Sequence, residues 1–189
     1  MKAVLISIQP KWCELIASGK KTIEVRKTRP KIDTPFKCYI YCTIGNGVKG
    51  DYLVPSGIQC GKVIGEFVCD KIQEITYTQI YNFGRYKDVC EAETRLDFYA
   101  LDDYLKQKNG YGWHISNLVI YDKPKELSEF YTEGDCDCMN CKKCYWFDRG
   151  NGYNVENDCN LAYKCVELHK SFKPIIRPPQ SWQFIETGE

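Results

Sequence analysis

The sequence lacks a large excess of charge of either sign, which limits the partners that its whole surface can attract. Its 189 residues include 26 Lys and Arg against 25 Asp and Glu, so the formal net charge is +1. A protein that coats nucleic acid needs a strongly basic surface, whereas a hydrophobic content of 43% indicates a packed core. We therefore expect one main folded domain, in which any contact with nucleic acid is local.

Long hydrophobic runs are also absent from the sequence. The apolar stretch near the N-terminus is interrupted by Gln9, Pro10 and Lys11, well before the cleavage region of a signal peptide or the roughly 20 residues of a membrane span. This pattern predicts a cytoplasmic protein that makes no membrane contact.

Histidine is scarce, with two residues, whereas cysteine is abundant, with twelve. Without an export signal, the crowding of half of these cysteines into one segment favours a metal site over disulfides. The candidate ligands are Cys136, Cys138, Cys141, Cys144, Cys159 and Cys165. Zinc takes four tetrahedral thiolates, and C-x-x-C spacing lets two of them reach one ion. We predict a structural zinc held by four of these six residues, with an iron–sulfur cluster and disulfides as the less favoured alternatives.

The remaining six cysteines are scattered through apolar patterns, and we expect them to be buried as small hydrophobic residues. They are Cys13, Cys38, Cys42, Cys60, Cys69 and Cys90.

Hydrophobic periodicity predicts mostly strands, with helices in three places. Strands are expected at 2–8, 21–27, 36–44, 111–124 and 178–186, together with one long bent strand at 61–76 that is kinked near Gly65. Helices are expected at 10–19, 77–84 and 96–108. Because strands and helices do not alternate regularly, the pattern predicts an α+β fold with a small mixed β-barrel flanked by helices. Residues 1–131 and 174–189 would form the barrel, and residues 132–173 a Cys-rich insertion that folds around metal.

Four blocks in order carry a family resemblance: "SIQPKWCELIASGKKTIEVR", "GKVIGEFVCDKI", "YGWHISNLVIYDKPKELSEF" and "RPPQSWQFIE". Together they resemble the ASCH domain of the PUA-like β-barrel superfamily, and the pattern G-x-K-x-x-E-x-R falls on Gly19, Lys21, Glu24 and Arg26. The resemblance implies RNA or a modified nucleoside in a cleft beside the barrel. Some small members hydrolyse acetylcytidine with a lysine, a threonine and a glutamate; Lys21 matches the lysine, and Glu24 stands where the threonine would be. Similar Cys-bearing members are often encoded by phages and prophages.

The basic stretch at 18–31 divides by what each side chain can do. Strand alternation places Glu24 and Arg26 on one face, and Lys21 joins them if it lies in the turn after Gly19. There the carboxylate can act on water as a base, the ammonium can stabilise an oxyanion, and Arg26 can grip a phosphate. Ordinary surface ion pairs are the alternative interpretation. We expect a solvated basic rim from Lys20, Lys27, Arg29 and Lys31.

A second group of candidate ligand contacts lies outside this stretch, at Trp113, His114, Gln180 and Ser181. Aromatic rings stack on bases and histidine exchanges protons near neutral pH, although Trp113 and His114 are equally compatible with packing. Glu66 is expected on an exposed strand face.

Together these predictions indicate RNA or nucleotide-like ligand binding in an ASCH-type cleft. The alternative is a hydrolase, either a nucleoside amidohydrolase or a ribonuclease, with Glu24 as base and Lys21 as electrostatic stabiliser. A third hypothesis is a phage protein that binds a host protein through the insertion.

Overall fold

The computed structural model describes residues 2–44, 57–80, 83–134 and 171–186. Its strands are β1 (Lys2–Ile8), β2 (Ile23–Arg26), β3 (Phe36–Cys42), β4 (Val63–Cys69), β5 (Ile72–Ile80), β6 (Phe83–Lys87), β7 (Gly110–His114), β8 (Ser116–Lys125), β9 (Tyr131–Gly134), β10 (Ser171–Pro174) and β11 (Trp182–Glu186). The helices are α1 (Pro10–Ala17), α2 (Glu91–Thr94) and α3 (Phe98–Leu105), with a 3₁₀ turn at Leu127–Glu129.

The strands divide into two sheets. The larger has seven strands in the order β10-β9-β11-β1-β3-β4-β8, and the smaller has four in the order β2-β7-β5-β6. Strands β1 and β3 pair in parallel, whereas β1 and β11 pair antiparallel. The expected α+β class is confirmed. The expected closed barrel is not found among the described residues, because β2 pairs with β7 of the smaller sheet and the larger sheet ends at β10 and β8.

Both faces of the larger sheet are covered, which explains the continuous apolar run of β1. Ile6 and Ile40 belong to the main core, which also contains Trp113 of the smaller sheet. Successive side chains of a strand point to opposite faces, so Leu5 belongs to a second core together with Phe130. A third cluster packs α3 against β2 and β5 through Leu101, Leu105, Val25 and Ile75.

The helix expected at 77–84 was wrong. Residues 77–80 continue β5, and β6 pairs with them antiparallel, with Thr78 opposite Arg85 and Gln79 opposite Gly84. Threonine and tyrosine suit a pleated surface, and the rings of Tyr77 and Tyr86 pack across the pair with centroids 5.1 Å apart.

The long strand expected at 61–76 is two strands, separated by Asp70 and Lys71. An irregularity does occur where the kink was expected, since the register of β4 against β8 shifts between Val63 and Gly65. A Cβ at Gly65 would lie 2.3 Å from the carbonyl oxygen of Val119, so only glycine permits this approach. The single strand expected at 111–124 is likewise two strands, β7 and β8, which belong to different sheets, and β8 continues past the expected end at Pro124 to Lys125.

Both ends of the expected Cys-rich insertion belong to one antiparallel ribbon, in which Tyr131 lies opposite Pro174 and Gly134 opposite Ser171. The stretch from 135 to 170 lies outside the described residues, so the boundaries of the insertion stay a prediction. Among the described helices, none is both long enough and apolar enough to cross a bilayer.

Candidate ligand-binding cleft

The turn after α1 places Lys21 beside the strand that follows it. Gly19 has a φ of +71°, and the amides of Lys20 and Lys21 both donate to the carbonyl oxygen of Leu15, at 2.8 and 2.9 Å. This left-handed glycine ends the helix, and regular strand begins only at Ile23. Lys21 is therefore free of strand alternation, as the sequence required for it to meet Glu24.

Lys21, Glu24 and Arg26 form a continuous buried ion-pair chain, which we call the buried triad. The ammonium of Lys21 lies 3.4 Å from Oε2 of Glu24, and Nη2 of Arg26 lies 3.0 Å from Oε1. The three residues are only 2%, 6% and 7% exposed. Lys21 also donates to the carbonyl oxygen of Thr94 at 2.6 Å. Each carboxylate oxygen therefore faces a different cation.

Arg26 joins the buried triad to the last segment of the chain. Its Nη2 donates to the carbonyl oxygen of Ser7 at 2.6 Å, and the Ser7 hydroxyl donates to the carbonyl oxygen of Pro179 at 2.6 Å. The amide of Ser7 donates to the carbonyl oxygen of Ser181 at 2.9 Å. In the described part of the chain, Nε of Arg26 is buried without a hydrogen-bond partner. The guanidinium thus retains one donor beyond those that hold it in place.

The buried triad lies on the wall of a cleft with a volume of about 1380 Å³. The charged residues lining it are Lys11, Lys21, Glu24, Arg26, Lys27 and Asp103. Its other lining residues include Ser7, Trp12, Thr43, Ile44, Tyr104, Pro179, Gln180 and Ser181. Among the described lining residues, four cations against two carboxylates give this cleft a positive lining, although the whole chain is nearly neutral.

Burial shifts the pKa of two ionisable groups of the cleft, Lys21 and Tyr104. It lowers the pKa of Lys21 from the usual 10.5, and the nearby Glu24 carboxylate only partly offsets this effect. Burial also raises the pKa of Tyr104, although Arg26 opposes that shift. Lys21 therefore loses its proton more readily than an exposed lysine.

Two aromatic side chains line the cleft beside lysine ammonium groups. The ring centroid of Trp12 lies 4.4 Å from Nζ of Lys11 and 5.2 Å from Nζ of Lys21. On α3, the ring of Tyr104 lies 5.1 Å from Nζ of Lys27. Both rings combine with cations in the way that sites for nucleotides do.

The structure brings together five of the seven sequence-predicted ligand contacts and leaves two elsewhere. Gln180 and Ser181 line the cleft with the buried triad. Trp113 is fully buried, with its ring 5.8 Å from that of Phe36, and His114 places Nε2 2.9 Å from Oε1 of Gln73. Neither is among the described residues that line the cleft. Ligand contacts by Trp113 and His114 stay predictions, and neither residue enters the binding site proposed below.

Of the four residues expected to form the basic rim, one is a described lining residue of the cleft and three are not. Lys27 lines the cleft, whereas Lys20, Arg29 and Lys31 are exposed and not among its described lining residues. Glu66 lies outside that lining too, 3.1 Å from Nζ of Lys37.

Several lining residues escaped the sequence analysis. Trp12, Lys11 and Tyr104 were given no role in ligand binding. Two signals were available. Helix α1 starts next to the end of β1 and leads into the motif, and Ala100 and Tyr104 lie four residues apart on one face of α3, with Leu96 four residues earlier in the chain.

The six cysteines proposed as metal ligands lie outside the described residues: Cys136, Cys138, Cys141, Cys144, Cys159 and Cys165. Zinc and an iron–sulfur cluster therefore stay predictions. Within the described ranges, no group of three or more His, Cys, Asp or Glu side chains is arranged to hold a metal ion. Of the scattered cysteines, Cys13, Cys38, Cys42, Cys60 and Cys69 are buried as expected, whereas Cys90 is exposed next to α2.

Comparison with known proteins agrees with the blocks quoted from the sequence. The model of the ASCH domain matches residues 6–133. The chain belongs to the ASCH domain family. No curated protein matches it.

Crystal structures of an ASCH protein from Zymomonas mobilis resemble this ASCH domain in fold. A serine-to-alanine variant has a TM-score of 0.53 at 17% identity, covering 97% of this chain and 88% of that one. The protein without that substitution gives a TM-score of 0.48 at 21% identity, covering 66% of this chain and 73% of its own. At these identities the likeness concerns the fold alone. A phage or prophage origin and a host-protein partner stay predictions.

Proposed function

We propose that this ASCH domain binds RNA or a nucleotide-like ligand in the cleft beside the buried triad. ASCH domains are generally thought to bind RNA. The observation that carries the proposal is the pair of buried cations, Lys21 and Arg26, on the wall of a cleft that is positive while the whole protein is nearly neutral.

The chemistry of the lining fits the parts of a nucleotide. A guanidinium with an unused donor binds a phosphate or carbonyl oxygen, and Arg26 retains Nε for this purpose. Trp12 offers an aromatic surface for a base, and Lys11 and Lys27 add charge that attracts the backbone. The volume of about 1380 Å³ accommodates more than a single nucleoside.

Binding fits the buried triad better than hydrolysis does. Both oxygens of Glu24 face cations, an arrangement typical of a carboxylate that holds other groups in place. One observation favours the hydrolase as a second candidate. The lowered pKa of Lys21 makes its neutral amine more accessible beside a carboxylate. Turnover therefore has to be measured together with binding.

The test compares wild type with Lys21→Met, and with Lys37→Met as the matched control. Both lysines pair with a glutamate, but Lys37 lies outside the lining of the cleft. We expect single-stranded RNA to bind wild type at low salt, Lys21→Met to lose at least about tenfold in affinity, equivalent to about 1.4 kcal/mol, and Lys37→Met to behave as wild type. Equal binding by all three proteins would refute the proposal.

Acetylated nucleosides and the same RNA are then assayed for turnover with wild type and Glu24→Gln. We expect no product from either protein. Product from wild type that is lost in both Glu24→Gln and Lys21→Met would establish the hydrolase instead.

We also propose that four of the six clustered cysteines hold a structural zinc. The pairing of β9 with β10 supports this, because Gly134 lies opposite Ser171 and all six cysteines lie in the chain between these two residues. Metal analysis of protein purified without added metal is expected to give one zinc per chain. A transition-metal content below about half an equivalent would count against this site.

A further inference from the structure

Two buried thiols meet where β3 ends and β4 is about to begin. Sγ of Cys42 lies 3.7 Å from Sγ of Cys60. The backbone fixes the two segments side by side, because the amide of Gly61 donates to the carbonyl oxygen of Cys42 at 2.7 Å and the amide of Cys42 donates to that of Lys62 at 2.9 Å. These backbone hydrogen bonds therefore hold the two thiols close together.

A third thiol distinguishes the two members of this pair. The thiol of Cys13 in α1 donates to the carbonyl oxygen of Ile8 at 3.5 Å, and the interactions of Cys42 with Cys13 and Cys60 lower the pKa of Cys42 against the opposing effect of burial. Burial raises the pKa of Cys60 to about 12 and also raises that of Cys13. Of these three thiols, Cys42 therefore loses its proton most readily.

We propose that Cys42 and Cys60 form a peroxide-reactive thiol pair that closes into an intramolecular disulfide. In the first step the Cys42 thiolate attacks one oxygen of hydrogen peroxide; an S–O bond forms, the O–O bond breaks, and the departing hydroxide takes a proton to become water. In the second step the Cys60 sulfur attacks the sulfenic sulfur of Cys42, and a second water leaves with the proton of the Cys60 thiol. Two thiols and one peroxide give one disulfide and two waters.

The position of the pair suits a small oxidant. Cys42 and Cys60 are 0% and 1% exposed, which excludes bulky disulfides from direct attack, whereas hydrogen peroxide is little larger than water. The next residue in the chain, Thr43, lines the cleft, so solvent reaches to within one residue of the Cys42 sulfur. Closing the bond requires the sulfurs to approach from 3.7 Å to about 2.05 Å by side-chain rotation.

Cys38 of β3 and Cys69 of β4 provide an internal control in the same sheet. Both are fully buried, and burial raises the pKa of each thiol. The thiol of Cys69 donates to the carbonyl oxygen of Lys71 at 3.5 Å. Cys38 and Cys69 are thus as buried as Cys42 but lack its lowered pKa.

The test uses the full chain. Reduced protein is treated with hydrogen peroxide, remaining thiols are blocked with a maleimide under denaturing conditions, and peptides cleaved after lysine are analysed by mass spectrometry. Cleavage after Lys37, Lys49 and Lys62 places Cys42 and Cys60 in different peptides. We expect these two peptides to be joined by a disulfide, with fragmentation assigning the bond to Cys42, while Cys38 and Cys69 carry maleimide.

Two variants separate the steps. Cys60→Ser is expected to accumulate a sulfenic acid on Cys42 that dimedone traps, whereas Cys42→Ser is expected to give no adduct on Cys60. Full maleimide labelling of Cys42 and Cys60 after peroxide would overturn the proposal. So would a disulfide from Cys42 to Cys13, or oxidation of Cys38 and Cys69 at the same rate as Cys42.

Discussion

Two lysine–glutamate pairs in this protein have nearly the same geometry and opposite surroundings. Lys21 and Glu24 lie 3.4 Å apart with side chains 2% and 7% exposed, whereas Lys37 and Glu66 lie 3.1 Å apart with side chains 36% and 23% exposed. The first pair belongs to the buried triad beside the cleft. The second lies on paired strands β3 and β4, outside the lining of the cleft.

The difference shows what burial demands of a charged pair. A charge removed from water is tolerated only when other groups replace its hydration. For Lys21 this group is the carbonyl oxygen of Thr94, and for Glu24 it is the guanidinium of Arg26. In the outer pair Tyr121 also donates to Glu66, but both side chains retain access to water and depend less on such partners. The same two residue types are therefore strongly coupled to their surroundings in one place and weakly coupled in the other.

The largest expected effect comes from Glu24→Gln, which keeps the shape of the side chain and removes its charge. Two buried cations are then left without their shared carboxylate, so we expect a loss of about 3 to 5 kcal/mol in the free energy of unfolding. Urea denaturation measures this loss. A loss below about 1 kcal/mol would mean that water reaches the triad, and the contrast with the outer pair would disappear.

Local sequence signals were sufficient to assemble much of the triad. Gly19 marked the end of α1, and alternation in β2 placed Glu24 and Arg26 on one face, both as the structure shows. The carbonyl of Thr94 was beyond such signals, because it lies 73 residues from Lys21 and only the tertiary fold brings them together. The place of Trp12 in the cleft was missed for a related reason, since helical spacing identifies an apolar stripe but does not say that a side chain packed against the core also lines a cleft.

Sequence reasoning was least successful where tertiary pairing decides the structure. The stretch at 77–84 contains no glycine or proline before Gly84, so a helix and a strand were both compatible with it, and pairing between β5 and β6 selected the strand. The division into two sheets likewise depends on β2 pairing with β7, whereas β8, which begins two residues after β7 ends, pairs with β4 of the other sheet.

Trp12→Ala examines the aromatic wall next to the triad. Stacking of a base on an aromatic ring contributes about 1 to 3 kcal/mol, so we expect RNA affinity to fall by a corresponding five- to hundredfold while the fold is retained. Tyr99 is the matched control, because its ring is 81% exposed and lies outside the described lining of the cleft. Equal losses from Trp12→Ala and Tyr99→Ala would assign the ligand to a broader surface than the cleft.

Lys27→Ala tests the solvated side of the same cleft. Each phosphate neutralised on single-stranded RNA contributes about 0.7 to the slope of log affinity against log salt, so we expect the slope to fall by roughly that amount. Lys31, which is exposed and absent from the described lining, is expected to leave the slope unchanged when replaced by alanine. A larger change from Lys31→Ala would place the RNA along the basic rim.

The smallest effect is expected from Glu66→Gln, the counterpart of Glu24→Gln on the outer pair. Burial tends to raise the pKa of Glu66, but hydrogen bonds from Tyr121 and Lys37 outweigh it and bring the pKa below the usual 4.5. A carboxylate with a lowered pKa stabilises the folded state fully above pH 4.5, and this contribution disappears as the pH falls through the folded-state pKa. We therefore expect Glu66→Gln to lose up to about 1 kcal/mol at pH 7, and the difference from wild type to shrink in acid. Urea denaturation of wild type and Glu66→Gln at pH 7 and below pH 4.5 measures this difference. A loss at pH 7 as large as that of Glu24→Gln would show that partial exposure does not weaken such a pair.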